Sequence, residues 1–77
     1  MDPSTIEQTI LQAMPGAEVH VDSDDNVHYV ARIVSSEFSG CSRIQRHRRV
    51  HEALGSSLGR EIHALSLDLK TPEEARQ

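Results

Sequence analysis

Two hydrophobic periodicities alternate along this chain, and their order limits the class of fold. Apolar residues first recur at helical spacing, at Ile6, Ile10, Ala13 and Met14. Apolar and polar residues then alternate over positions 17–22, as expected for a strand with one buried face. The change from strand period to helix period and back recurs between residues 27 and 70. This order of elements predicts an α+β fold.

The first helical segment carries both start and stop signals. Asp2 before Pro3 marks a helix start, because proline fits the first helical position. Ser4 with Glu7 three residues later marks a start again, as a capping box. The Pro-Gly pair at 15–16 ends the segment.

Three strands are predicted, of which the first two form a hairpin. Residues 17–22 and 27–34 are joined by a loop dense in turn-forming residues, which favours an antiparallel pair. The second of these strands is the more apolar, so we expect it to be the better buried. A helical crossover separates it from the third strand, residues 62–69, and the two can therefore lie parallel. The sequence predicts a mixed three-stranded sheet with helices packed on one face.

The crossover helix has a capping box, Ser42 with Gln45, and Gly55 is placed to break or bend it. Its inward stripe at helical spacing is predicted to be Ile44, His47, Val50 and Leu54. A last short helix begins at Thr71-Pro72, where a cap residue precedes a proline.

The basic residues are concentrated in the crossover helix. The chain has 12 acidic and 8 basic residues and a formal net charge of −4, which argues against general coating of nucleic acid. Half of the basic residues nevertheless fall within seven positions, at Arg43, Arg46, Arg48 and Arg49. Arginine forks suit phosphates and guanine edges, and a helix fits the major groove of DNA. This stretch is therefore a candidate DNA-binding surface, a solvated helix face, or a surface for an acidic protein.

Other function classes lack their signatures. The sequence contains no nucleophile elbow, phosphate loop or zinc-ligand spacing, so we expect a protein that is not an enzyme. No apolar run approaches the ~20 residues that span a membrane, and no secretory signal is recognisable. The single cysteine, Cys41, cannot form an internal disulfide and is expected to be a free thiol. We therefore expect one domain, residues 1–77, in the cytoplasm.

Four stretches in the same order resemble the BolA family, in particular its short bacterial branch. They are Val-His-Tyr-Val at 27–30, Glu-Phe-Ser-Gly at 37–40 followed by Ser-Arg at 42–43, Gln-Arg-His-Arg-Arg-Val at 45–50, and the segment 62–74, from Ile-His-Ala-Leu to Thr-Pro-Glu-Glu. The resemblance implies an αββααβ core like a class II KH domain, followed here by a short helix. It also implies two central helices in a helix-turn-helix-like segment.

The resemblance further implies pairing with a monothiol glutaredoxin and sharing of a [2Fe-2S] cluster. In that pairing, glutaredoxin and its glutathione supply thiolates, and the BolA partner supplies a histidine and a second ligand. His63 matches the family's ligating histidine. The loop at 22–26 lacks the His or Cys that many relatives carry there. His28, which follows the loop, and His20, which precedes it, are candidates for the second ligand, and each can equally be a solvent-facing strand histidine. Alone, the chain is expected to be a monomer or a weak dimer.

The same resemblance leaves a second function open, since some family members are described as transcriptional regulators linked to stress and cell shape. Under this hypothesis the arginines of the crossover helix bind DNA. One departure bears on both hypotheses: Ala75 stands where relatives usually carry a tryptophan. The sequence thus predicts either an accessory protein of iron-sulfur and iron homeostasis or a DNA-binding regulator.

Overall fold

The computed structural model describes residues 2–55 and 64–77, and within them the predicted order of elements is confirmed. A 3-10 turn, Ser36–Phe38, precedes the central helix. The other elements are α1 (Pro3–Ala13), β1 (Glu18–Asp22), β2 (His28–Val34), α2 (Arg43–Leu54), β3 (Ala64–Lys70) and α3 (Pro72–Ala75). The first two residues of the predicted third strand, and the place of a second central helix, lie outside the described residues.

The three strands form one mixed sheet in the order β1-β2-β3. β1 runs antiparallel to β2, with Glu18 opposite Val34, as the hairpin prediction required. β2 and β3 run parallel, with His28 opposite Ala64 at the start of the ladder. The helical crossover between β2 and β3 makes the parallel pairing possible. Two parallel strands need a connection of a dozen or more residues, because the chain has to return to the same end of the sheet.

The helices cover one face of the sheet, and the core lies between them. β2 is the best buried strand, since Tyr29, Ala31 and Ile33 are at most 1% exposed. Its alternate residues lie on the other face, where Val30 is 39% exposed. The buried apolar residues are Ile6, Ile10, Met14, Val21, Tyr29, Ala31, Ile33, Phe38, Val50 and Leu54. The sheet therefore has one packed face and one open face.

The start of α1 follows only one of its two sequence signals. Asp2 is the N-cap and Pro3 the first helical residue, so Ser4 already lies inside the helix. The capping box predicted from Ser4 and Glu7 is therefore wrong. The Glu7 carboxylate instead accepts a hydrogen bond from the backbone N–H of Val21 at 2.8 Å, which links α1 to β1.

The ends of α2 are as predicted, and its inward face is as predicted only in part. Ser42 and Gln45 form a reciprocal capping box, and Gly55, with a φ of +56°, ends the helix in a conformation that glycine tolerates. Val50 and Leu54 are buried, whereas Ile44 is 64% exposed, so its predicted place in the core is wrong. Six residues separate Ile44 from Val50, which places them about 120° apart around a helix of 3.6 residues per turn.

The C-terminal helix is short and firmly capped. Thr71 is its N-cap and forms a reciprocal capping box with Glu74, and Pro72 occupies the first helical position. Within the described residues, no helix has the length and apolar character needed to cross a membrane.

Replacing Ile10 with alanine should destabilise the protein by about 2–5 kcal/mol, because it removes a fully buried side chain and leaves a cavity. Ile44→Ala is the matched control, since it makes the same change on an exposed helical position and should stay within about 0.5 kcal/mol. Urea unfolding of the three proteins measures both values. Equal destabilisation by the two substitutions would contradict the orientation of α2.

Candidate functional site

His28 begins β2 on the open face of the sheet, and its side chain is 74% exposed. In the parallel ladder it lies opposite Ala64, the first described residue of β3. The predicted ligand His63 lies outside the described residues. Ala64 follows His63 directly in the sequence.

Asp25 holds the imidazole of His28. One carboxylate oxygen, Oδ1, accepts hydrogen bonds from the backbone N–H groups of Val27 and His28, both at 2.9 Å. The other, Oδ2, lies 2.8 Å from Nδ1 of His28. These contacts hold the pKa of Asp25 well below its usual range: the largest cause is the backbone N–H of His28, followed by its side chain and the backbone N–H of Val27. The carboxylate is therefore ionised at neutral pH.

The loop between β1 and β2 is fixed by further hydrogen bonds. The Ser23 hydroxyl donates to the backbone carbonyl of His28 at 2.6 Å and accepts from the backbone N–H of Asn26 at 2.9 Å. Asn26 has a φ of +57°, in the left-handed region that asparagine tolerates. The Tyr29 hydroxyl donates to the Asn26 carbonyl at 2.7 Å, which ties the loop to the core.

A shallow groove of about 270 Å³ lies between this loop and the start of β3. On the open face its walls include His28, Val30, Ala64 and Ser66. Val27, at the end of the loop, is 40% exposed, and Val30 is 39% exposed. The imidazole of His28 is thus exposed, and the sequence around it carries two exposed valines.

His20 does not join this group. It lies on β1 opposite Arg32, and its Nε2 is 3.2 Å from the Asp22 carboxylate. β2 separates β1 from β3, and Arg32 lies four residues after His28, roughly 13 Å along the strand. Across residues 2–55 and 64–77, no three His, Cys, Asp or Glu side chains converge as metal ligands do.

Arg46, one of the four predicted DNA-binding residues, is committed to the fold. Its side chain is 15% exposed and pairs with Glu74 through two contacts, at 2.7 and 3.4 Å. It also donates to the backbone carbonyls of Cys41 and Leu69, and its guanidinium lies 5.9 Å from the centre of the Phe38 ring. Arg46 therefore joins α2 to β3 and α3.

The remaining arginines of α2 do not share one face. Arg49 donates to the Ala13 carbonyl at 3.0 Å and pairs with Glu37 at 3.2 Å, so it fastens α2 to the end of α1. Arg43 and Arg48 are exposed and make no ion pair with any described residue, but five residues separate them, about 140° around the helix. Of the four clustered arginines, Arg43 and Arg48 are therefore the two exposed charges without an ion pair to a described residue, and they lie on different sides of α2.

Cys41 precedes α2 and is half-buried and reduced. Its Sγ lies 3.6 Å from the backbone carbonyl of Glu37, and its own carbonyl accepts from Arg46. Both contacts are made with residues that hold the fold together, so they indicate a structural environment for Cys41.

Comparison with known proteins identifies the fold and the family. The family model described as "BolA-like protein" matches residues 6–74. The structure of a bolA protein homologue from Coxiella burnetii superposes with a TM-score of 0.89 at 33% identity, covering 100% of this chain and 99% of that chain. The BolA domain of SufE1 from Arabidopsis thaliana gives a TM-score of 0.82 at 31% identity, covering 94% of this chain and 93% of that chain. The resemblance to the BolA family read from the sequence is confirmed.

One curated relative carries a functional name. It is the "DNA-binding transcriptional regulator BolA" of Haemophilus influenzae, 40% identical over 55 residues, which cover 71% of this chain and 53% of that protein. This chain spans 40–53% of the length of its human, mouse and Haemophilus relatives, about half of each.

The ion pair between Arg46 and Glu74 should make stability depend on pH. The Arg46 side chain and, to a lesser extent, the backbone N–H of Thr71 lower the pKa of Glu74 from 4.5 to about 2. A lowered carboxyl pKa stabilises the folded state above pH 4.5, and this contribution is lost as the pH falls towards 2. We expect Glu74→Gln to be less stable than the wild type at pH 7 and the difference to shrink between pH 5 and 2.

Urea unfolding at a series of pH values measures this difference. Glu73→Gln is the control, because Glu73 is an exposed neighbour in the same short helix and forms no ion pair with a described residue. A stability difference for Glu74→Gln that stayed constant from pH 7 to 2 would show that the charge of Glu74 does not stabilise the folded state.

Proposed function

Because this chain belongs to the BolA family, we propose that it is a non-enzymatic accessory protein of iron-sulfur and iron homeostasis. In this role it docks a monothiol glutaredoxin in the cytoplasm and shares a [2Fe-2S] cluster with it. Glutaredoxin and glutathione supply thiolates, and His63 and His28 of this chain supply nitrogen ligands. The cluster belongs to the complex and not to the isolated chain.

The observation that carries this proposal is the register of the parallel strands. His28 lies opposite Ala64, and Ala64 is the residue that follows His63. No comparable relation exists for His20, which lies on the far strand of the sheet. His28 is therefore the better second ligand.

The chemistry of His28 fits such a cluster. Neutral imidazole is a ligand for borderline metals, and histidine replaces cysteine on one iron of some [2Fe-2S] centres. Nδ1 is engaged by Asp25, whereas Nε2 makes no hydrogen bond with any described residue. One ring nitrogen is thus available on an exposed side chain.

The surface around His28 fits a protein partner. Val27 and Val30 are exposed on either side of it in the sequence, and Ala64 and Ser66 add small side chains to the groove. The exposed arginines of α2 lie on a different element, so glutaredoxin docking does not require them.

Anaerobic reconstitution of iron and sulfide with a monothiol glutaredoxin and glutathione tests the proposal. Addition of the wild type should change the visible circular dichroism of the glutaredoxin cluster, because two imidazole ligands enter its coordination. His63→Ala and His28→Ala should each abolish or strongly reduce this change. His20→Ala is the matched control, as an exposed histidine of the same sheet, and should behave as the wild type.

Calorimetry with the apo proteins separates docking from ligation. The two ligand variants should still bind glutaredoxin, since the substitutions remove a nitrogen ligand and leave the valines in place. An unchanged spectrum with the wild type would reject cluster sharing. A wild-type response from His28→Ala, with loss in His20→Ala, would assign the second ligand to β1.

DNA binding is the second candidate, and the name of the Haemophilus relative favours it. Only Arg43 and Arg48 of the four predicted arginines are exposed without an ion pair among the described residues. Because they lie on different sides of α2, a single DNA backbone contacts them less readily than it would a continuous basic face. This geometry supports weak, salt-sensitive binding at most.

Fluorescence anisotropy with a mixed-sequence DNA duplex tests this second function. If both arginines contact phosphates, the slope of log affinity against log salt should fall in magnitude by roughly 1.8 in the double variant Arg43→Gln, Arg48→Gln. Arg32→Gln, on the open face of the sheet, should leave the slope unchanged. Binding that is equal in all three proteins would exclude α2 as the contact surface.

A further inference from the structure

We infer that Asp25 is a positioning residue, which fixes His28 in the tautomer with its proton on Nδ1 and leaves Nε2 as the free lone-pair donor. The use of that lone pair for a cluster rests on the proposed function. The tautomer itself does not, and it can be measured on the isolated protein.

The two oxygens of the Asp25 carboxylate have different hydrogen-bond partners, and this difference sets the tautomer of His28. Oδ1 of Asp25 accepts from two backbone N–H groups, and Oδ2 lies 2.8 Å from Nδ1 of His28. An ionised carboxylate only accepts hydrogen bonds, so Nδ1 must carry the proton in this contact. In a neutral imidazole the other nitrogen then has the lone pair.

The carboxylate is itself held in place. Rotation of the Asp25 side chain would break the hydrogen bonds from Val27 and His28 to Oδ1. The Ser23 hydroxyl also bonds the carbonyl of His28 and the N–H of Asn26, which fixes the backbone on both sides. The orientation of the ring is thus determined by the loop before any partner binds.

His20 provides an internal contrast. Its Nε2, and not its Nδ1, lies near a carboxylate, at 3.2 Å from Asp22. Nε2, the ring nitrogen farther from the backbone, is therefore engaged in His20, whereas Nε2 of His28 makes no hydrogen bond with any described residue. Histidine ligands of metals usually donate their other N–H to a carboxylate, a backbone carbonyl or water. Of these two histidines, it is His28 whose Nδ1 faces a carboxylate and whose Nε2 is the outer atom.

Nuclear magnetic resonance of ¹⁵N-labelled protein at about pH 9, where imidazoles are neutral, reads the tautomer directly. The wild type should show His28 protonated on Nδ1. In Asp25→Asn the amide oxygen can keep the backbone hydrogen bonds, which places the amide NH₂ against Nδ1. Nδ1 must then accept, and the proton should move to Nε2.

Asp24→Asn is the matched control, because Asp24 is an exposed neighbour with no hydrogen bond to any described residue. It should leave the His28 resonances unchanged. A wild-type protein with the His28 proton on Nε2 would overturn the inference, whatever happens with glutaredoxin. So would an Asp25→Asn protein that is folded and has the wild-type tautomer.

The same variants, mixed with the glutaredoxin cluster, distinguish this inference from the proposed function. Asp25→Asn should weaken cluster sharing by roughly 10–100-fold, the usual cost of losing a carboxylate behind a histidine ligand. Asp24→Asn should share the cluster as the wild type does. The predicted tautomer without any cluster sharing by the wild type would reject the proposed function and leave the tautomer assignment standing. Cluster sharing that is equal in Asp25→Asn and the wild type would overturn the positioning role.

Discussion

The register of β2 against its two neighbours is the constraint on which the rest of the structure depends. β2 contributes Tyr29, Ala31 and Ile33 to the core, so a slip by one residue would turn all three towards the open face. Burial therefore fixes the register, and that register places His28 opposite Ala64. The packing of the core and the geometry of the candidate site are consequences of the same alignment.

Local signals in the sequence were sufficient for most of the fold. The strand periods, the hairpin, the capping box of α2 and the cap and proline that start α3 each depend on residues a few positions apart, and these were confirmed. Contacts between distant segments were not predictable in this way. Glu7 left its expected capping role because Val21, 14 residues later, offers it a backbone N–H. Ile44 faces solvent because its helical phase differs from that of Val50.

The same distinction between local and distant contacts applies to the candidate site. Asp25 and His28 are three residues apart, so their pairing could have been predicted from the turn sequence. Arg46 could not have been removed from the basic surface in advance, because its partner Glu74 is 28 residues away. A run of arginines in a sequence thus overstates the charge that α2 presents to solvent. Arg46 instead attaches α2 to the C-terminal helix through its ion pair with Glu74.

The hydrogen bond from Val21 to Glu7 bears on how this protein behaves at high concentration. β1 is the outer strand of its side of the sheet, and the backbone groups of such strands can pair with a strand of another molecule. Glu7 occupies the Val21 N–H and brings a carboxylate to that margin. An incoming strand would have to displace the Glu7 carboxylate from the Val21 N–H. The backbone carbonyl oxygens of that strand would then lie close to the negative charge of Glu7. The first helix thus also protects the sheet against intermolecular growth.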